Sequence, residues 1–145
     1  AERFFAACRE KGVAVIARVP LASGLLTGKM NRDSRFAADD HRNFNRHGEA
    51  FDVGETFSGV DYEKGLAAVE ELKSIVPSGF SLAQLALRWI LMFPEVTCVI
   101  PGAKNASQVE QNAASSGMPA LSPETMARVR EIYDRYIRED VHQRW

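Results

Sequence analysis

Apolar positions change period along the chain, and each change marks an element. Phe4, Phe5 and Cys8 recur at helical spacing among Arg3, Arg9, Glu10 and Lys11, and Gly12 stops the pattern. Val13-Ala14-Val15-Ile16-Ala17 is instead a short unbroken apolar run before Pro20, the pattern of a strand buried on both faces. A polar stretch follows from Ala22 to about Val60, dotted with Gly24, Gly28, Gly48, Gly54 and Gly59. Its aromatics, Phe36, Phe44, Phe51 and Phe57, show no period. A stretch of this kind is either a binding lid or a solvated insertion pinned by its phenylalanines, and the pattern leaves both open.

Helical period resumes after Asp61, with Leu66, Val69, Leu72 and Ile75–Val76 on one face until Pro77 and Gly79. Ser81 and Gln84 form a capping-box pair ahead of Leu82, Leu85, Ala86, Trp89, Ile90 and Phe93, and Pro94 forbids extension. Val96-Thr97-Cys98-Val99-Ile100 is a second buried-strand run, closed by Pro101-Gly102. Asn105 and Gln108 repeat the cap signal for a short helix through Asn112–Ala114. Ser122-Pro123-Glu124 opens the last helix, whose stripe runs Met126, Val129, Ile132–Tyr133, Tyr136 and Ile137 before a polar tail from Arg138 to Trp145.

Five helices thus accompany two strands, both of the parallel, doubly covered kind. Two such strands cannot make an independently stable sheet. The pattern predicts an α/β chain that is part of a larger sheet or barrel, or one that completes itself by association. The first residue is Ala1 rather than Met, already inside a helical pattern. Cleavage, nicking or a truncated gene would each give such a start, and the sequence leaves these open.

Composition narrows the partners. Among 145 residues, 18 Lys plus Arg against 19 Asp plus Glu give a net charge of −1, without the basic field that nucleic acid or an anionic membrane attracts. A hydrophobic content of 46% is enough for a core. Cys8 and Cys98 allow at most one bridge, which fits a reducing cytoplasm. No apolar run is long enough for a membrane span, and no charged leader with an apolar h-region is seen. The expectation is a soluble cytoplasmic protein.

The strongest local chemistry is Val99-Ile100-Pro101-Gly102-Ala103-Lys104-Asn105, followed by Gln108, Gln111 and Asn112. A strand delivers Gly102 into a turn and a capped helix starts at once, so N–H groups and the Lys104 charge could hold an anion. On its own such a turn usually just ends a strand. Pro20-Leu21-Ala22-Ser23-Gly24 makes a similar strand exit, again with the plainer reading of a glycine-containing loop. His41, His47 and His142 lack the spacing of paired metal ligands, and Asp39-Asp40-His41 reads as a solvated charge cluster. Ser23 lies in Ala-Ser-Gly, not Gly-x-Ser-x-Gly, so no nucleophile elbow is indicated. Cys98 reads as a buried inert thiol and Trp89 as core, while Trp145 either covers a site or hangs loose.

Together these segments resemble the aldo-keto reductases. Pro20 to Lys29 (Pro-Leu-Ala-Ser-Gly-Leu-Leu-Thr-Gly-Lys) is similar to the loop after their seventh strand. Leu82 to Leu91 resembles the helix before their eighth, and Val99 to Lys104 with Gln108 and Asn112 resembles their adenosine-phosphate site. The order and spacing of all three agree, over essentially the whole chain. The bacterial branch related to potassium-channel β-subunits, with its long loop between the last two strands, is the nearest in pattern.

The resemblance implies the C-terminal part of a (β/α)8 TIM barrel: helix, strand 7, long loop, helices, strand 8, helices. It implies NADP(H) as cofactor and small aldehydes or ketones as substrates. Leu21, Ser23 and Gly24 would line the pyrophosphate; Gly102, Ala103 and Lys104 would hold the 2′-phosphate; Gln108 and Asn112 would contact adenosine. Many relatives carry Tyr-Ser where this chain has Arg18-Val19, which removes one serine contact. The family's catalytic Asp, Tyr, Lys and His lie on earlier strands, and Tyr62, Tyr133 and Tyr136 fall on helices instead. The expectation is one domain or fragment over 1–145, holding a cofactor-phosphate site and no catalytic or metal-binding residue, and inactive alone. The alternative is an inactive truncated relative that self-associates through strands 13–17 and 96–100.

Overall fold

The computed structural model describes residues 2–144, with side chains from Phe4 onward. α1 (Glu2–Lys11) turns through left-handed Gly12 into β1 (Val15–Arg18). β1 begins later than the apolar run because the Val13 N–H still serves the helix, donating to the Cys8 carbonyl at 2.8 Å. β2 (Val96–Ile100) lies parallel to β1, with Val15 opposite Val96 and Arg18 opposite Ile100. The ladder is irregular between Val15 and Ile16, where the Val15 N–H is taken by the Thr97 hydroxyl at 3.2 Å.

The sheet has these two strands, so the expectation of strands covered on both faces is corrected: Ile16 is 58% exposed and Ile100 53%. No layer covers that face among the described residues. Cys98 is accordingly half-buried rather than buried, and Trp89 is half-buried too, its ring meeting Phe93 edge-on at 4.9 Å.

The crossover between the strands carries α2 (His41–Phe44), α3 (Tyr62–Lys73) and α4 (Leu82–Ile90), and β2 is followed by α5 (Ala106–Ala114), α6 (Pro123–Tyr136) and α7 (Arg138–Val141). The starts follow the sequence signals. Ser81 and Gln84 bond reciprocally as a capping box, Asn105 accepts from the Gln108 N–H, and Ser122 accepts from the Thr125 N–H ahead of Pro123. α3 ends at Lys73, short of Ile75–Val76, where the Ser74 hydroxyl donates to the Glu71 carbonyl at 2.7 Å.

The core gathers Leu25, Phe57, Val69, Leu82, Leu85 and Leu121. Two of these, Leu25 and Phe57, come from the polar stretch, so it is not a solvated insertion pinned only at the surface. Its inner polar hub is Asn45, fully buried, which accepts from the Ala50 and Phe51 N–H groups and donates to Thr56 Oγ1 at 3.2 Å. α3 and α6 are tied by Glu71, which accepts from Arg128 at 3.0 Å and Arg135 at 2.9 Å. An apolar cleft of about 340 Å³ lies inside this helical layer, lined by residues including Leu85, Trp89, Val129 and Ile132.

The polar tail from Arg138 is folded. Val141 is buried, and Asp140 accepts from Lys64 Nζ at 2.6 Å and from the Asp61 N–H at 3.4 Å. Trp145, whose role was left open, lies outside the described residues. Leu85→Ala, which empties a fully packed core position, is expected to cost about 2–5 kcal/mol in urea unfolding. Val109→Ala, at a position 56% exposed, is expected to stay within about 0.5 kcal/mol.

Candidate functional site

The register that sets Arg18 opposite Ile100 brings both strand exits to the same end of the sheet. Residues 19–24 leave β1 there, and residues 101–105 leave β2. In parallel α/β sheets the carboxyl ends of strands are where ligands collect, because loops and helix N-termini meet there.

The first exit is strained. Val19 (φ +49°), Ala22 (φ +46°) and Ser23 (φ +56°) are left-handed without being glycine, and Gly24 follows at φ +92°. Among the described residues the other non-glycine ones in that region are Phe57 and Ser58, at +48° and +58°. The two strained segments touch. The Phe57 N–H donates to Ser23 Oγ at 3.1 Å, and Ser23 Oγ lies 3.3 Å from the Glu55 carbonyl. Strain of this kind persists only where the surroundings over-determine it, and it concentrates at functional sites.

α2 closes on the same serine. His41 Nε2 is 3.3 Å from Ser23 Oγ, and Arg42 Nη1 donates to the Ser23 carbonyl at 3.3 Å. Asp40 caps α2 by accepting from the Arg42 N–H, and it holds the Arg42 guanidinium with Nε at 2.9 Å and Nη2 at 2.5 Å. The guanidinium lies over the Phe36 ring, 4.5 Å from its centroid. Of Asp39-Asp40-His41, read as a solvated charge cluster, Asp39 is exposed, whereas Asp40 and His41 are half-buried and bonded. The signal that could have found it is the Asp-x-Arg spacing, an N-cap carboxylate two residues before a guanidinium.

Hydrogen bonds from the Arg42 side chain, outweighing the opposing effect of burial, hold the Asp40 carboxyl well below the usual carboxylate range.

At the second exit Gly102, Ala103 and Lys104 are exposed. A Cβ built on Gly102 meets no heavy atom within 4 Å. Gln108 Oε1 accepts from the Lys104 N–H at 2.7 Å, and Asn112 Nδ2 donates to the Gly102 carbonyl at 3.3 Å. The two carboxamides thus brace the turn, and among the described residues no carboxylate pairs with the Lys104 side chain. Arg18, at the end of β1, is 66% exposed and meets Glu55 at 3.5 Å. Of the residues singled out in the sequence, Leu21, Ser23 and Gly24 sit at one exit, and Gly102, Ala103, Lys104, Gln108 and Asn112 at the other. Tyr62 lies on α3, and Tyr133 and Tyr136 lie on α6. Among the described residues no three His, Cys, Asp or Glu side chains cluster to hold a metal ion, and no helix is long and apolar enough to cross a membrane.

The family model of the Aldo/keto reductase family matches residues 1–134. The chain belongs to the aldo/keto reductase family. It is 35% identical over 127 residues to a probable voltage-gated potassium channel subunit beta of Arabidopsis thaliana, covering 83% of this chain and 35% of that protein. It is 33% identical over 126 residues to the L-glyceraldehyde 3-phosphate reductase of Escherichia coli (strain K12), covering 83% of this chain and 34% of that one. Among solved structures it resembles the glycerol dehydrogenase AKR11B4 from Gluconobacter oxydans, with a TM-score of 0.71 and 30% identity over 90% of this chain and 37% of the other. The chain spans about a third of the length of the curated relatives it matches.

Ser23→Ala strands the Phe57 N–H, and is expected to lower unfolding stability by about 1–3 kcal/mol. Gly102→Ala, with open space at Cβ and no left-handed φ, is expected to leave stability unchanged. The contribution of Asp40 also has a pH sign. Its folded pKa is depressed, so its stabilisation is complete above the ordinary carboxylate pKa of about 4 and is lost as pH falls through the folded value. Asp40→Asn is expected to flatten the acid limb of stability below about pH 4, followed by circular dichroism.

Proposed function

We propose that this chain is the C-terminal, cofactor-phosphate-binding portion of an NADP(H)-dependent oxidoreductase of small aldehydes or ketones. β1 and β2 take the places of strands 7 and 8 of the family's (β/α)8 barrel, and residues 1–145 act as one unit. The observation that carries the reading is the convergence of two anion-suited turns at one sheet end. The first is the run of left-handed Ala22, Ser23 and Gly24, in which the Ala22 and Gly24 N–H groups serve the Val19 and Leu21 carbonyls and the Ser23 N–H is left for an anion. The second pairs the N-terminus of α5 with the open backbone at Gly102 and the unneutralised Lys104 charge.

The residues present fit the group. Gly102, Ala103 and Lys104 would hold a 2′-phosphate, Gln108 and Asn112 an adenosine, and Leu21, Ser23 and Gly24 a pyrophosphate, the last by backbone. When bound, the dinucleotide supplies the hydride of carbonyl reduction. The proton donor and much of the carbonyl substrate's pocket are assigned to the family's other strands, and the residues named here supply the cofactor-phosphate side. A relative named as an NADP(+) aldo-keto reductase, 26% identical, supports this choice of cofactor. Such an enzyme works in the cytoplasm, without nucleic acid or membrane as partner.

A second reading has its own observation, the open sheet face with Ile16 and Ile100 half-exposed. There the chain is an inactive relative that buries residues 13–17 and 96–100 against a second copy. NADPH titration by fluorescence, with sedimentation on the same sample, separates the two. The first reading expects saturable binding, weakened about tenfold or more by Lys104→Glu, the scale of one charge-assisted phosphate contact. An oligomer blind to NADPH supports the second, and equal affinity in Lys104→Glu removes the phosphate assignment.

A further inference from the structure

The family resemblance implies a ligand-facing role for Ser23, but the geometry spends its hydroxyl inside the chain. Four groups from the crossover converge on this one residue: His41 Nε2 at 3.3 Å, the Phe57 N–H at 3.1 Å and the Glu55 carbonyl at 3.3 Å on the hydroxyl, and Arg42 Nη1 at 3.3 Å on the carbonyl. The residue they grip is in the left-handed region, with left-handed Ala22 before it and Gly24 after it. Without external bonds such a backbone would relax.

We propose that the Asp40–Arg42 pair is a positioning clamp that holds the turn at 19–24 in its phosphate-ready shape. This rests on the dinucleotide reading of the site. Arg42 is suited to hold and not to bind. Its Nε and Nη2 are spent on the two Asp40 oxygens and its charge is matched there, while Phe36 supports the face of the guanidinium. Only Nη1 reaches the turn, and it points at a backbone carbonyl. Asp40 is fixed in its turn by capping α2, so the fork cannot swing without unwinding that helix end. His41, the next residue, is carried onto Ser23 Oγ by the same helix end. Arg42 is thus a positioning residue that acts through Ser23, and Ser23 shapes the turn with its side chain while its backbone faces the phosphates.

The clamp acts on one of the two exits, which supplies a readout that general destabilisation would not move. NADP spans both turns, whereas adenosine 2′-phosphate engages only the turn after β2. In the full 145-residue chain, Arg42→Ala is expected to weaken NADP about tenfold, the scale of one hydrogen bond to a charged group. Affinity for adenosine 2′-phosphate is expected to stay unchanged, and amide hydrogen exchange at 19–24 to rise. Arg42→Lys keeps a cation over Phe36 without the fork, so it guards against misfolding and is expected to show the same split to a smaller degree.

Equal losses for NADP and adenosine 2′-phosphate would overturn the proposal, as would unchanged exchange at 19–24. Raised exchange with unaltered NADP affinity would overturn the link from clamp to site. If the wild-type chain binds neither nucleotide, the dinucleotide reading fails together with the clamp's purpose. Exchange at 19–24 then still decides whether Arg42 holds the turn.

Discussion

Parallel pairing of β1 and β2 is the constraint from which the rest follows. A parallel partner cannot be reached by a tight turn, so the chain leaves the sheet at Arg18 and must return at the opposite end to enter Val96. Everything between is crossover, and it has to pack on its way back. That obligation puts Leu25, Phe57, Val69, Leu82 and Leu85 into one core, and it makes both strands exit at the same sheet end. The two anion-suited turns are neighbours because the strands are parallel. An antiparallel pair with the same residues would have sent them to opposite ends.

The first exit then needs help that the second does not. Left-handed conformations at Val19, Ala22 and Ser23 cost on the order of 1–3 kcal/mol each, most for the β-branched Val19. The long crossover repays part of that cost locally. It brings Phe57, His41 and Arg42 back to Ser23, and the aromatic layer of Phe36, Phe57 and Tyr62 gives Arg42 and Arg46 faces to lie on. At the second exit Gly102 has no left-handed φ, and two local carboxamide bonds suffice.

What the sequence disclosed was what depends on local rules. Cap residues at Asp61, Ser81, Asn105 and Ser122 start their helices where expected, because an N-cap needs only the next three residues. The two strands were legible from unbroken apolar runs. The crossover was not, since Phe57 is core for reasons set by Tyr62, Phe36 and Leu25, which no period along the chain connects. Asp40 looked like a solvated acid because its partner, Arg42, neutralises it only once α2 forms. Both exits of the candidate site were visible as motifs; the bonding of Ser23 was not, because its partners lie 18, 32 and 34 residues away.

The open sheet gives the remaining step. Parallel strands are ordinarily covered on both faces, and here Ile16 and Ile100 stand exposed on the open face of the sheet. Burying each such side chain is worth roughly 1.5–3 kcal/mol, so a covering layer has a real driving force. The edges of β1 and β2 also carry backbone groups that the two-stranded ladder cannot pair, and a further strand satisfies both needs at once. A second copy and the rest of a barrel both offer strands. Both strands exit at the same end of the sheet, and both outer edges are open to a further strand. A parallel neighbour on either edge would leave both exits at that same end, because parallel strands all exit together.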